Sequence, residues 1–148
     1  MKRIKPYHGA GLLLWSQDAQ GKIFVLLGER VINPGKGKWS IPGGRWDHRK
    51  DIDENGNPDY LKTALRETQE EVIFSIDHDE TFMPLWSSRI PFFNFVVYGY
   101  RMLERRQFNH NYEFSEVGWF AVDALPTPCE LFVRTQVASL VKRLSNQE

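Results

Sequence analysis

Residues 64–72, ALRETQEEV, carry the strongest signal in the chain. They place Glu67, Glu70 and Glu71 within five residues, with Arg66 directly before the first of them. Like charges three or four residues apart on a helix repel by roughly a few tenths of a kcal/mol per pair. The segment is therefore either a solvated acidic surface or a surface whose repulsion is offset by a bound cation.

The apolar residues around these glutamates predict a helix that begins after Asp59, a suitable N-cap. At about 100° per residue, the three glutamates lie within an arc of roughly 100°. Leu61, Leu65 and Val72 gather on a different side of the helix. Solvated acidic helices usually alternate glutamate with lysine four residues on, and here glutamate stands there instead. The pattern favours a hard divalent cation with oxygen ligands, such as magnesium.

Upstream of the helix, residues 38–46 read KWSIPGGRW. Two glycines after a proline let the backbone approach a helix or the phosphates of a ligand closely. Taken alone, this segment predicts only a turn. The stretch that follows, residues 45–58, is polar and has no periodic apolar pattern, so it is predicted to be an insertion in a loop.

The remaining segments predict strands on both sides of two helices, which is typical of an α/β fold with a mixed β-sheet. Residues 16–21, SQDAQG, are typical of a turn and join the apolar runs 9–15 and 22–31. This arrangement favours a hairpin of buried strands. The predicted strands are 9–15, 22–31, 82–88, 92–103 and 116–122, and the second helix is predicted within 129–144.

Length and composition exclude several classes of protein. The chain has 148 residues and 41% apolar residues, which predicts a single domain over 1–148 with a sizeable core. The 19 basic residues balance the 19 acidic ones, so neither nucleic acid nor a membrane surface is an expected partner. The short apolar run near the N-terminus does not favour a signal peptide. The one cysteine, Cys129, fits a reducing compartment, and we expect a cytoplasmic location.

Together, the Pro-Gly-Gly turn and the RExxEE segment resemble the Nudix hydrolase family. The family's box has a glycine, five residues, a glutamate, seven residues, and then R-E-U-x-E-E-x-G-U, where U is a bulky apolar residue. Gly44 matches the first glycine, and the second half is matched by Arg66, Glu67, Glu70, Glu71 and Phe74. Glu113 and Glu116 ahead of Trp119-Phe120 resemble a later pattern of the family. The resemblance implies the Nudix fold, an α/β/α sandwich with a mixed β-sheet.

The chain departs from this box in several places. Between Gly44 and Arg66 lie 21 residues, about eight more than in the box. The outer glutamate falls on Pro58, so that carboxylate is expected to be lost or supplied by Asp59. Ile73 replaces the last glycine, and because isoleucine resists a left-handed C-cap, we expect a different helix exit. Thr68 stands where an apolar residue is usual.

The resemblance implies attack of water on the diphosphate linkage of a nucleoside diphosphate joined to another group. Glu67, Glu70, Glu71 and Gly44 would form the metal site, for Mg²⁺ with Mn²⁺ as a substitute. Phosphoryl transfer needs positioning and charge neutralisation more than covalent help. Arg66 would pair with a neighbouring carboxylate and orient Glu67.

Other site residues are weaker candidates. Glu113 is the expected general base, with Glu116 and Glu67 as alternatives. Arg30 and Lys38 are candidates for phosphate contacts, although solvated surface roles are compatible with both. Four aromatic residues could stack on a base, but core packing explains them better: Trp46, Phe82, Phe93 and Tyr98.

Three functions are compatible with these residues. The first is a magnesium-dependent pyrophosphohydrolase of a small nucleotide substrate, either a monomer or a homodimer. The second is a non-catalytic Nudix-like module that binds a nucleotide and regulates a partner. The third is an RNA-processing enzyme acting on 5′ ends, which the neutral net charge does not support. Deoxynucleoside triphosphates, nucleotide sugars, dinucleoside polyphosphates and ADP-ribose all remain compatible substrates.

Overall fold

The computed structural model describes residues 6–33, 35–73 and 82–147. Phe74, the last residue matched to the box, lies outside these ranges. In chain order the elements are β1 (Tyr7–Gln17), β2 (Ile23–Arg30), β3 (Trp39–Ser40), β4 (Gly43–Arg45), α1 (Tyr60–Glu71), β5 (Val72–Ile73), β6 (Met83–Ile90), β7 (Phe93–Arg101), β8 (Asn109–His110), β9 (Phe114–Ala121) and α2 (Val133–Ser145).

Strand β1 is the centre of a mixed sheet with the order β3-β2-β1-β7-β6. Its second half forms the predicted hairpin with β2, with Trp15 opposite Val25. Its first half pairs with β4, and β7 runs parallel to it along its other edge. Because β4 lies at the start of β1, the Pro-Gly-Gly turn is fixed to the middle of the sheet.

The two faces of β1 bury two separate cores. Leu12 and Leu14 pack with residues of α1, including Leu65. Leu13 and Trp15 point to the opposite face, where residues of α2 cover them, as expected from the alternation of side chains along a strand. One helix therefore covers each face of the sheet, and the predicted α/β/α sandwich is confirmed.

Helix α1 begins as predicted and ends differently from a glycine-capped helix. The Asp59 carboxylate accepts a hydrogen bond from the Lys62 backbone N–H at 3.3 Å, as an N-cap does. At the other end, Val72 is extended and the chain continues directly into β5, which pairs with β8. The different helix exit expected from Ile73 is confirmed.

The extra residues of the polar stretch form a small closed loop before α1. Ile52 and Pro58 make an antiparallel bridge, and Asp53 accepts hydrogen bonds from the backbone N–H groups of Asn55 and Asn57. The loop is exposed at its tip. Among the described residues, no helix is both long and apolar enough to cross a membrane.

Candidate active site

A cleft of about 550 Å³ opens where β4, α1 and the start of α2 meet. One part of its lining is charged and another part is aromatic. The lining residues are Tyr7, Arg30, Ser40, Ile41, Gly43, Gly44, Arg45, Glu67, Phe93, Phe95, Glu113, Glu130, Phe132, Val133 and Gln136.

The two glycines of the turn bring the backbone of β4 against α1. The Gly43 N–H donates a hydrogen bond to Glu71 Oε1 at 3.0 Å. A Cβ added to Gly44 would overlap the carboxyl group of Glu67. Of the two roles open to the turn, the close approach to a helix is the one that the structure shows.

Glu71 is a fully buried carboxylate with an incomplete set of partners. It is 0% exposed, and its Oε2 has no hydrogen-bond partner. Its pKa is raised to about 8, mainly by burial and further by the nearby Glu113 and Glu67, against the opposing effect of the Gly43 N–H. Burial and the neighbouring carboxylates therefore outweigh the opposing effects of the Gly43 N–H and of the positive charge of Arg30.

Glu67 and Glu70 have different surroundings. Glu67 lines the cleft, and its pKa is raised by burial despite the Arg66 guanidinium beside it. The Glu70 side chain is 54% exposed and lies 3.6 Å from Arg66 Nη1. In the part of the chain that the structure describes, no three His, Cys, Asp or Glu side chains are arranged so that they could hold a metal ion as they stand. The expected convergence of the three glutamates is thus not present as a finished ligand set.

Arg66 holds Glu67 and a carboxylate that the sequence did not indicate. Its Nη1 donates to Glu67 Oε1 at 3.0 Å, and its Nε and Nη2 donate to the two oxygens of Asp51 at 3.1 and 2.8 Å. The expectation for the outer carboxylate was wrong, because Asp59 caps the helix instead and Asp51 supplies the group. Asp51 follows Gly44 by one position more than the box allows, and the other seven extra residues lie between Asp51 and Arg66.

The two candidate bases after β8 lie in different places. Glu113 lines the cleft, and its charge raises the pKa of both Glu67 and Glu71. Its loop is fixed by backbone hydrogen bonds from Asn111 N–H to Glu71 O and from Val31 N–H to Glu113 O, each 3.0 Å. Glu116 lines a separate cavity beside β9, which leaves it outside the cleft.

Of the two candidates for phosphate contacts, only one lines the cleft. Arg30 is half-buried and lines the cleft. Lys38 is exposed and is not among the residues that line the cleft. Arg45, which the sequence analysis did not single out, lies in the cleft, with its guanidinium 4.9 Å from the centre of the Tyr7 ring. Arg30 and Arg45 are thus the two basic residues in the described lining.

The sequence of the chain matches the model of a known protein family. The model of the NUDIX domain matches residues 7–140, which is nearly the whole chain. The chain belongs to the Nudix family. No curated protein matches its sequence significantly.

Solved structures share this Nudix fold at low sequence identity. The NUDIX domain of Shewanella oneidensis NrtR, complexed with ADP ribose, has a TM-score of 0.71 and 22% identity, with 97% of this chain and 90% of that one covered. A Caenorhabditis elegans Ap4A hydrolase has a TM-score of 0.69 and 18% identity, covering 95% and 98%. A MutT NUDIX hydrolase from Burkholderia pseudomallei has a TM-score of 0.63 and 22% identity, covering 92% and 98%.

Some Nudix structures that match are considerably longer than this chain. A MutT/nudix family protein from Enterococcus faecalis matches with a TM-score of 0.63 and 23% identity, and the chain covers 46% of its length. For S. oneidensis NrtR complexed with a 27mer DNA, the chain covers 63%.

The Nudix cleft has an aromatic side that sequence analysis assigned only in part. Phe93 lies in the cleft, whereas Phe82 and Tyr98 pack against the core on the α1 side. Trp46 donates its indole N–H to the Asp51 backbone O at 2.8 Å. Three further rings join Phe93 in the lining: Tyr7, Phe95 and Phe132. Phe93 and Phe95 share one face of β7, which their spacing of two residues could have indicated.

The residues around Glu71 suit the divalent cation that Nudix hydrolases generally use. The buried Oε2 of Glu71 has no partner, and Glu67 and Glu113 add negative charge beside it. A hard cation prefers carboxylate oxygens and would offset this repulsion. Glu67, which lines the cleft, and the buried Glu71 are therefore the side chains that would hold it.

Proposed function

We propose that the protein hydrolyses a diphosphate linkage in a nucleotide or nucleotide derivative, with Mg²⁺ as its metal and Mn²⁺ as a substitute. Its membership of the Nudix family supports this general reaction. The residues of one cleft support it further, because carboxylates for a cation, arginines for phosphates and rings for a base all line the same cavity.

A single observation carries the proposal. Glu67, Glu71 and Glu113 come from the helix and from a loop tied to its end, and the negative charge of Glu113 raises the pKa of both Glu67 and Glu71. Carboxylates with raised pKa values that lie together beside a cleft are characteristic of functional sites. Arg30 and Arg45 line the same cleft and would contact the phosphates.

Each side chain of the site has a distinct proposed role. Glu67 and Glu71, with Glu70 from the exposed side of the helix, would hold Mg²⁺, which when bound neutralises the charge of the diphosphate. Arg66 fixes the Glu67 carboxylate through the 3.0 Å hydrogen bond and is a positioning residue. Gly44 leaves the space that the Glu67 carboxylate occupies.

Glu113 would act as the general base. Its carboxylate would take the proton of the attacking water as the water oxygen forms a bond to phosphorus. The bond from that phosphorus to the bridging oxygen breaks, and this oxygen leaves on the second phosphate. The fixed loop around Glu113 would hold the carboxylate in place, because both ends of the loop are hydrogen-bonded to neighbouring elements.

The names of the structural neighbours suggest where to look for the substrate. One neighbour is complexed with ADP ribose and another is an Ap4A hydrolase. Both compounds join adenosine to another group through phosphates. We propose that compounds of this kind are substrates, and no nucleic acid is expected because the net charge is zero.

The proposal is tested by incubating the protein with Mg²⁺ and a panel of nucleoside diphosphate derivatives that includes ADP-ribose and Ap4A. We expect release of a nucleoside monophosphate, no release in EDTA, and a loss of at least about 100-fold in Glu67→Gln. Glu116→Gln serves as the matched control because Glu116 lies outside the cleft. Equal rates in Glu67→Gln and the wild type would contradict the metal assignment.

A second candidate is a regulatory module that binds a nucleotide without cleaving it. It is favoured by the absence, among the described side chains, of a finished set of metal ligands. NrtR shows that a Nudix domain also occurs in a protein that binds DNA. Tight binding of a nucleotide with no product after prolonged incubation with Mg²⁺ or Mn²⁺ would select this function over hydrolysis.

A further inference from the structure

Two buried polar side chains in the lining of the cleft have unpaired atoms. Gln136 is 4% exposed, and its Oε1 has no hydrogen-bond partner. Ser40 is 7% exposed, and its Oγ has none either. Buried polar atoms are nearly always hydrogen-bonded, so two unpaired ones in one cavity require an explanation.

Gln136 occupies a position that packing alone would give to an apolar residue. It lies on the buried face of α2 with Val133, Val137 and Leu140, all of which belong to the core on that side. Ser40 lies on β3, paired with Gly28 of β2. Replacing either side chain by an apolar one would remove an unpaired group, and folding alone therefore does not explain their polarity.

The aromatic rings in the same cavity stack on one another. The centre of the Phe93 ring lies 5.5 Å from that of Tyr7, 6.0 Å from that of Phe95 and 5.7 Å from that of Phe132. The angles between these ring planes are 20°, 6° and 19°. A nucleobase is itself a planar ring, and stacking on aromatic side chains of this kind is favourable for it.

We propose that Gln136 and Ser40 recognise the base of the nucleotide, and that this base is adenine. The inference rests on the proposed function, because it takes the charged part of the cleft as the site of the phosphates. It adds the residues that select the adenine base of the proposed adenosine-containing substrates.

The chemistry of a carboxamide favours adenine. A carboxamide offers one acceptor beside one donor, and each hydrogen-bonding edge of adenine offers one amino donor beside one ring-nitrogen acceptor. One glutamine therefore satisfies that edge completely. The pairing edges of guanine, cytosine and uracil each carry three polar groups, so one group would stay buried and unpaired. The Ser40 hydroxyl can donate to one of the two ring nitrogens that remain.

The test compares the binding of AMP, GMP, CMP and UMP in EDTA by calorimetry, so that neither metal nor hydrolysis enters. We expect AMP to bind at least about tenfold more tightly than the other three. Gln136→Met should reduce AMP affinity by about tenfold and leave the affinities for GMP, CMP and UMP nearly unchanged, and Ser40→Ala should act in the same direction.

Thermal denaturation distinguishes this role from a structural one. Gln136→Met should keep or raise the Tm, because it removes an unpaired buried polar group, whereas a structural glutamine would lower the Tm when replaced. The matched control is Gln20→Met, at an exposed position, which should change neither affinity nor Tm.

The outcomes separate this inference from the proposed function. Equal affinities for the four monophosphates, or preferential binding of another base, would overturn the adenine assignment while leaving diphosphate hydrolysis untouched. A preference for AMP that Gln136→Met does not change would overturn the role of Gln136. Selective AMP binding without hydrolysis of any diphosphate would support the base site and contradict the enzyme.

Discussion

Arg66 and Asp51 form a two-pronged ion pair, with Nε 3.1 Å from Oδ1 and Nη2 2.8 Å from Oδ2. Asp51 is 1% exposed and also accepts hydrogen bonds from the Thr63 hydroxyl and the Asp47 N–H. Since the other side of the guanidinium holds Glu67, the pair connects the loop before α1 to the cleft.

Asp51→Asn is expected to destabilise the protein by about 3 kcal/mol, because it removes one charge of a buried pair and replaces an acceptor oxygen with a donor. Urea denaturation measures this change. Asp123→Asn, at an exposed position, should change stability by less than about 0.5 kcal/mol. Similar midpoints for the two variants would show that the Asp51 pair contributes little.

The same pair predicts how stability depends on pH. Burial alone would raise the pKa of Asp51, but hydrogen bonds from Arg66, Asp47 and Thr63 outweigh it and hold the pKa below its ordinary value. Because the folded pKa is lower than the unfolded one, this contribution is complete above the unfolded pKa and is lost as the pH falls through the folded pKa. Denaturation midpoints measured from neutral pH downward should fall less steeply in Asp51→Asn than in the wild type. Parallel curves would contradict this.

Gly44→Ala tests the close approach of β4 to α1. The added methyl group would overlap the Glu67 carboxyl and displace it. Hydrolysis is expected to fall by about 100-fold, as for a misplacement of about 1 Å in an active site. The control is Gly118→Ala, whose Cβ would meet Phe120 at an ordinary 3.5 Å. Unchanged activity in Gly44→Ala would show that the Glu67 position is not critical.

The fold could be predicted from the sequence because the patterns that indicate its elements are local. Asp59 as the N-cap, the hairpin between β1 and β2, and the helix exit at Ile73 each depend on residues near one another in the chain. Asp51 could not be found in this way. Its partner Arg66 lies 15 residues away, and the extra residues moved the carboxylate out of the register that the family's box predicts.

The apolar part of the cleft could not be predicted from the sequence, because it is formed by contacts between segments that are distant in the chain. Tyr7 lies opposite Phe93 only because β1 and β7 pair in parallel, and aromatic residues in a strand indicate core packing equally well. Gln136, in contrast, could have been identified from the sequence. It interrupts the apolar periodicity of α2 between Val133 and Leu140, and a polar residue in such a position is a signal of function.

Glu71→Gln tests the metal site by a measurement other than activity. Glutamine keeps an acceptor for the Gly43 N–H but removes the charge, so the metal-free variant should be at least as stable as the wild type. Mg²⁺ at about a hundred times its Kd should stabilise the wild type by about 3 kcal/mol and the variant far less. Glu54→Gln, in the exposed loop, should respond like the wild type. An equal Mg²⁺ response in Glu71→Gln would place the cation elsewhere.

Replacing residues 53–57 with Asn-Gly tests whether the loop before α1 takes part in the reaction. Ile52 and Pro58 already pair as neighbours in an antiparallel bridge, and a two-residue turn closes such a pair well. Asp51 and its contacts with Arg66 lie outside the replaced segment. Stability should therefore change by less than about 1 kcal/mol, and hydrolysis should stay within about twofold of the wild type. A tenfold loss of kcat at unchanged stability would instead identify the loop as a lid over the substrate.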